Sequence, residues 1–195
     1  MFRSYYIEYQ SEWLRVIQQL DVSIIEKIYK TIKNSTEKNH QIFVLGNGGS
    51  AASASHWACD FGKGVNVDGV KRIRIFSLTD QIPLMTAYGN DMSYADIFVE
   101  QLKNVLNPGD IVIGLSVSGD SENVVRAFQY ARDSGATIIS LIGEKAGRMK
   151  GLSDISLVIP SSDYGVVEDA HMYVNHVISQ YMRKENVRNK LLLEK

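Results

Sequence analysis

The stretch QIFVLGNGGS, Gln41 to Ser50, decides how this chain is read: an apolar run ends in a glycine turn, and the turn opens directly into a helix-forming segment. Short apolar runs that end in loops recur four more times, as RIRIFSL from Arg72, DIVIGLS from Asp110, TIISLIG from Thr137 and DISLVIP from Asp154. Their β-branched content marks five candidate strands. Segments of helical character lie between them, at Ser50 to Phe61, Ala95 to Leu106 and Glu122 to Ser134, and a long one runs from about Val166 to Arg188. This alternation predicts an α/β fold, a doubly wound parallel sheet with helices on both faces. Upstream, Trp13, Ile17, Leu20, Ile24 and Ile28 recur every three or four residues, and Ile25 and Ile32 widen the stripe. Residues 1–38 therefore read as helical, with a break expected at Asp21 and Ser23. We expect one domain over 1–195, with 39–188 holding the sheet and terminal helix, and the tail from Arg183 as a frayed helix end.

The 195 residues are 45% hydrophobic and 22% charged, with 15 Gly and 3 Pro, which excludes a disordered or collagen-like chain. The 21 Lys plus Arg offset 22 Asp plus Glu, so no global field is available to hold nucleic acid or an anionic membrane. Any anion must be bound locally. The lone Cys59 excludes a disulfide within the chain, and beside Asp60 it reads as a small packed apolar residue. No apolar run approaches a membrane span and the first residues lack a signal-peptide core, so a cytoplasmic protein is expected.

In a doubly wound sheet, ligands sit beyond the carboxyl ends of the strands. After the first strand, Gly46-Asn47-Gly48-Gly49-Ser50 offers a tight turn and unpaired N–H groups to an anion, although alone it is equally an ordinary helix start with Ser50 as cap. After the third strand, Ser116-Val117-Ser118-Gly119-Asp120-Ser121 brings three hydroxyls to another helix start, enough donors for a phosphate without a matching counter-charge. His56 and Asp60, four apart, share a helix face, and the terminal helix carries Glu168, Asp169, His171 and His176. Two imidazoles and several carboxylates suit a metal site or an acid–base pair. Glu168 and His176 are separated by about 12 Å along an ideal helix axis, so either the helix start bends to bring both to one site or the two serve neighbouring sites. Tyr88-Gly89-Asn90-Asp91 reads as a helix end in which Gly89 and Asn90 supply left-handed geometry, and Asp91 is a candidate for sugar hydroxyls.

Four motifs, GNGGSAASASHWACDFGKG (46–64), YGNDMSYADIF (88–98), GLSVSGDSENVV (114–125) and EDAHMYVNHVI (168–178), together resemble the SIS (sugar isomerase) domain and, within it, the phosphoheptose isomerase branch. The resemblance implies a five-stranded sheet of flavodoxin-like order and a homotetramer with active sites between subunits. It further implies interconversion of sedoheptulose 7-phosphate and a mannoheptose 7-phosphate, feeding nucleotide-activated heptose synthesis. Carried over residue by residue, it puts the phosphate on Ser50, Ser116, Ser118 and Ser121, with Gly48, Gly49 and Val117 in the same loops. It puts the sugar near Asn47, Asn90, Asp91 and Glu168, and gives catalysis to Asp60 and His176. Some members bind zinc through residues that map to His56, Asp60, Glu168 and His176; no organic cofactor is implied.

The chain departs from that pattern at four places. Asp60 stands for a glutamate, Glu168 for a glutamine, Val117 for a threonine and Gly165 for an aspartate. The phosphate grip is kept, the sugar contacts are altered, and the extra carboxylate favours a cation. An aldose–ketose isomerase moves one proton between adjacent carbons through an enediol, roles that fall to Asp60 and His176. The alternatives are an isomerase of a different sugar phosphate, or a non-catalytic tetramer that binds a replication initiator or a phosphosugar.

Overall fold

The computed structural model describes residues 1–193, and Glu194 and Lys195 lie outside the described residues. Two helices, α1 (Phe2–Gln19) and α2 (Val22–Glu37), precede the sheet. They part where expected: the Asp21 carboxylate accepts the N–H groups of Ser23 and Ile24 and caps α2, a contribution of about 1 kcal/mol.

The five strands are β1 (Gln41–Gly46), β2 (Arg74–Ser77), β3 (Ile111–Ser116), β4 (Thr137–Gly143) and β5 (Ile155–Ile159). All pair in parallel, in the order β2-β1-β3-β4-β5. The order reverses at β1 and β3, so their carboxyl ends frame the crevice where such sheets bind ligands. Both candidate phosphate loops lie there.

Side chains alternate between two cores, as the period of two dictates. Ile42, Val44, Ile111, Ile113, Ile139 and Leu141 face α1, α2, α3 (Gly49–Cys59) and the long α8 (Tyr164–Leu193). Phe43, Leu45, Val112, Ile138 and Ile142 face the opposite layer, which includes α5 (Val99–Val105), α6 (Glu122–Asp133) and α7 (Gly147–Leu152). Between β2 and α5, α4 (Ile82–Asp91) leads into a 3₁₀ turn at Tyr94–Asp96. That turn shortens the helix expected from Ala95.

Four local expectations are corrected. The helix after the glycine turn leaves α geometry at Cys59 and continues as a π-helical turn, Asp60–Gly64. Cys59 is exposed rather than packed, since the buried face of α3 belongs to Ser50, Ser53, Ala54 and Trp57. Gly89 and Asn90 lie within α4 with no left-handed backbone. The tail from Arg183 is not frayed: α8 continues to Leu193, Arg183 donates to the carbonyls of Gly64 and Asn66, and Asn186 donates to that of Val65.

Candidate functional site

The first centre is a cavity of about 460 Å³ lined by Asn47, Gly48, Gly49, Ser50, Leu115, Ser116, Val117, Ser118, Ser121, Tyr164 and Glu168. It draws together nearly every residue assigned to the phosphate. Gly48, with φ of 55°, caps α3 in a conformation that side chains disfavour, and it leaves Ser50 one residue inside the helix with its hydroxyl free of capping duty. Ser121 likewise precedes α6 without a side-chain cap bond.

The second loop is pinned from behind. Gly119 has φ of 66°, and a Cβ there would overlap the carbonyl oxygen of Ala146. Ala146 and Gly147 are themselves left-handed, at φ of 60° and 52°. The Gly119 carbonyl accepts the Met149 N–H at 2.9 Å. Arg148 bridges Asp120 and Glu122 and holds both carboxyls below their usual range.

Asn47 is held as well. It exchanges two 2.9 Å amide bonds with the buried Asn123, and its Oδ1 also accepts the Tyr94 hydroxyl at 3.0 Å. The Val124 N–H donates to Asn123 Oδ1 and so fixes which way both amides face. One N–H of Asn47 remains to be offered, and therefore the group it meets must be an acceptor.

Glu168 also lies here. Its carboxylate packs over Gly49 so closely that a Cβ would overlap both oxygens, and it takes the backbone and hydroxyl donors of Ser50. Burial raises its carboxyl above the usual range, against the pull of those donors. The N-terminus of α3 thus already faces a carboxylate, as its dipole favours.

About two turns along, α3 and α8 meet a second time. His56 Nε2 is 3.4 Å from Asp60 Oδ2, His176 Nε2 is 3.6 Å from the same oxygen, and the two ring nitrogens are 3.5 Å apart. A tetrahedral zinc site with bonds of about 2.0–2.1 Å sets its ligand atoms roughly 3.3 Å apart, so these three atoms fit three corners of one, and the fourth corner is open. Glu168 is not among them. Within this chain eight residues of continuous helix separate Glu168 from His176, so the two serve neighbouring centres, Glu168 at the serine cavity and His176 beside His56 and Asp60. Asn90 and Asp91 bond each other at the end of α4, and neither lines the serine cavity.

Sequence reasoning missed Asn123, Tyr94 and Asn175. Asn175 is fully buried and its Nδ2 donates to Asp60 Oδ2 at 2.7 Å. Only the pairing of distant elements reveals these residues; an amide one residue before a candidate histidine was the sole local sign of Asn175.

A parallel sheet of this order with two glycine- and serine-bearing loops at its crevice and a histidine–carboxylate group on the flanking helices agrees with the comparison to known proteins. The SIS domain model matches residues 5–143, and the chain belongs to the SIS domain family. It is 34% identical over 161 residues to a phosphoheptose isomerase of Clostridium acetobutylicum, covering 83% of this chain and 82% of that one. With the phosphoheptose isomerase of Aliarcobacter butzleri it shares 33% over 180 residues, covering 92% and 94%. The solved structure of a phosphoheptose isomerase from Francisella tularensis matches with a TM-score of 0.84 at 25% identity, covering 94% of this chain and 96% of that one. Within the SIS family, the chain stands on the phosphoheptose isomerase branch.

Proposed function

We propose that this chain is an aldose–ketose isomerase that converts sedoheptulose 7-phosphate to an aldoheptose 7-phosphate. The observation that carries the reading is the joining of two centres by one helix pair: a serine-lined cavity where α3 and α8 begin, and a carboxylate with two imidazoles about two turns further on. From Ser50 to His56 the axis advances about 9 Å. In an extended sugar the five C–C bonds from the carbonyl carbon to the phosphoester carbon advance about 1.25 Å each, and the C–O and O–P bonds beyond them bring the phosphorus to roughly the same distance. Between the centres along the helix pair lie the exposed Ala52 of α3 and the half-buried Met172 of α8.

Ser116, Ser118, Ser121 and the N-terminus of α6 hold the phosphate, and the free N–H of Asn47 meets a sugar oxygen. Asp60 turns Oδ2 to the histidines, while Oδ1 has no hydrogen-bond partner among the described residues and is the oxygen available to take the C1 proton and return it to C2. With no ion in the centre, His176 Nε2 is the group that moves the proton between the two neighbouring oxygens. His56, Asp60 and His176 would hold a divalent ion, zinc by their spacing, which when bound supplies Lewis-acid polarisation of the carbonyl.

The protein works as a cytoplasmic homotetramer. Phe2, Tyr5, Tyr6, Ile7 and Leu14 of α1 and Tyr173, Val177 and Tyr181 of α8 are exposed, an apolar face of the kind that subunits cover. Proton NMR of the protein with sedoheptulose 7-phosphate in deuterated buffer, with zinc and after chelation, tests the reaction. Deuterium incorporation with formation of the aldose is expected, and the absence of exchange in both conditions overturns it.

A further inference from the structure

The Asp60 carboxylate is not left to solvent on its inner side. Asn175, one residue before His176 on α8, donates from Nδ2 to Asp60 Oδ2 at 2.7 Å, on the same oxygen that faces both imidazoles. Asn175 is completely buried, its neighbours on the helix include the buried Val174 and Ile178, and its own Oδ1 has no partner. A buried amide that loses water on one oxygen and regains nothing costs stability, and an apolar residue of similar size would suit the surroundings better. Its contribution therefore lies in what its other end holds. The backbone that follows Asp60 is held from α8 too, since Arg183 and Asn186 bond the carbonyls at the end of the π-helical turn. π-turns of this kind recur at functional sites because they re-aim a side chain.

We infer that Asn175 is a positioning residue that fixes the Asp60 carboxylate, so that Oδ2 points at His56 and His176 and the three-atom cation site is formed before any ion arrives. The inference rests on reading His56, Asp60 and His176 as a cation-binding, proton-moving centre. Removing a partner that orients a ligand weakens metal affinity by about 10–100-fold.

The experiment measures zinc affinity by competition with a chelating dye, and the thermal midpoint of the metal-free protein, for the wild type, Asn175→Leu, Asn175→Ala and each combined with Asp60→Ala. With the wild type binding one zinc, Asn175→Leu is expected to bind it about 10–100-fold more weakly while its metal-free midpoint stays equal or rises. In the Asp60→Ala background the same change should add less than about twofold, since the residue acts through that carboxylate. Zinc affinity in Asn175→Leu within about threefold of wild type, or a full loss repeated in the Asp60→Ala background, overturns the positioning role and leaves the centre standing. If Asn175→Leu does not fold, Asn175→Ala is judged by the same two limits. Failure of the wild type to bind zinc overturns the cation reading and this inference together.

Discussion

At its N-terminal end α3 meets α8 through Gly49, Ser50 and Glu168, and about two turns later it meets α8 again through His56, Asp60 and His176. The first junction is built from backbone donors and hydroxyls supplied by two short loops, each contiguous in sequence. The second is built from side chains on two helices more than a hundred residues apart, aimed by a π-turn and a buried amide. In the proposed reaction the first end holds charge without chemistry, and the second moves a proton without much grip. The separation teaches that affinity and turnover should be removable independently.

The largest expected effect breaks the second end. Asp60→Asn or His176→Ala should lower kcat by about 10²–10⁴-fold, the usual worth of a positioned acid or base, with KM nearly unchanged. Steady-state kinetics decide it, and more than a tenth of the wild-type kcat removes that residue from the mechanism.

Between the two ends, His171 on α8 is wholly buried, donates Nε2–H to the Leu141 carbonyl and is pushed down by burial to about 4. Its folded value lies below the unfolded one, so its stability is complete above about pH 6.5 and is lost as the pH falls towards 4, when the unfolded chain takes a proton that the native one refuses. The loss is about 3 kcal/mol. Urea unfolding between pH 7 and 4 measures it, and His171→Leu should flatten that part of the slope.

A smaller effect belongs to the first end. Ser121→Ala removes a donor to a charged group, a loss of about 1.5–3 kcal/mol, and should raise KM by about 10–100-fold with kcat close to wild type. A fall in kcat alone would mean that the cavity does not hold the phosphate.

Glu168 sharpens the same contrast with the opposite sign. Its carboxylate lines the same cavity and sets a like charge near the phosphate, so Glu168→Gln should lower KM by a factor of about 3–10, through loss of that charge in a partly screened site. Smallest is Tyr94→Phe, which removes one of the two bonds into Asn47 Oδ1 and should raise KM by about 2–10-fold, the worth of a single neutral hydrogen bond.

The fold was legible because its signals are local. Apolar runs such as Ile111 to Leu115 announce strands by themselves, Asp21 announces a cap, and the two loops announce their own glycines and serines. Element ends were less so: β2 begins at Arg74 rather than Arg72, because an exposed edge strand has a partner on one side only to extend it. The proton-moving end was half legible. The spacing of His56 and Asp60 placed them on one face, the terminal helix offered His171 and His176 as partners, and the resemblance singled out His176. Asn175 and Asn123 were invisible because a buried amide has no sequence pattern of its own, and its meaning is the partner that tertiary packing brings to it. For Glu168 the helix rise left two readings open, and the structure takes the one with neighbouring sites: Glu168 lines the serine cavity and His176 does not.

The interlock of Gly119 with Ala146 and Gly147 bears on timing. A loop wedged against a second loop, with Arg148 clamped across its acidic residues, is expected to keep one shape with and without its ligand. The anion should then be captured at a rate set by diffusion and ionic strength, without a slow conformational phase, and bound and free protein should show the same amide exchange across residues 116–121.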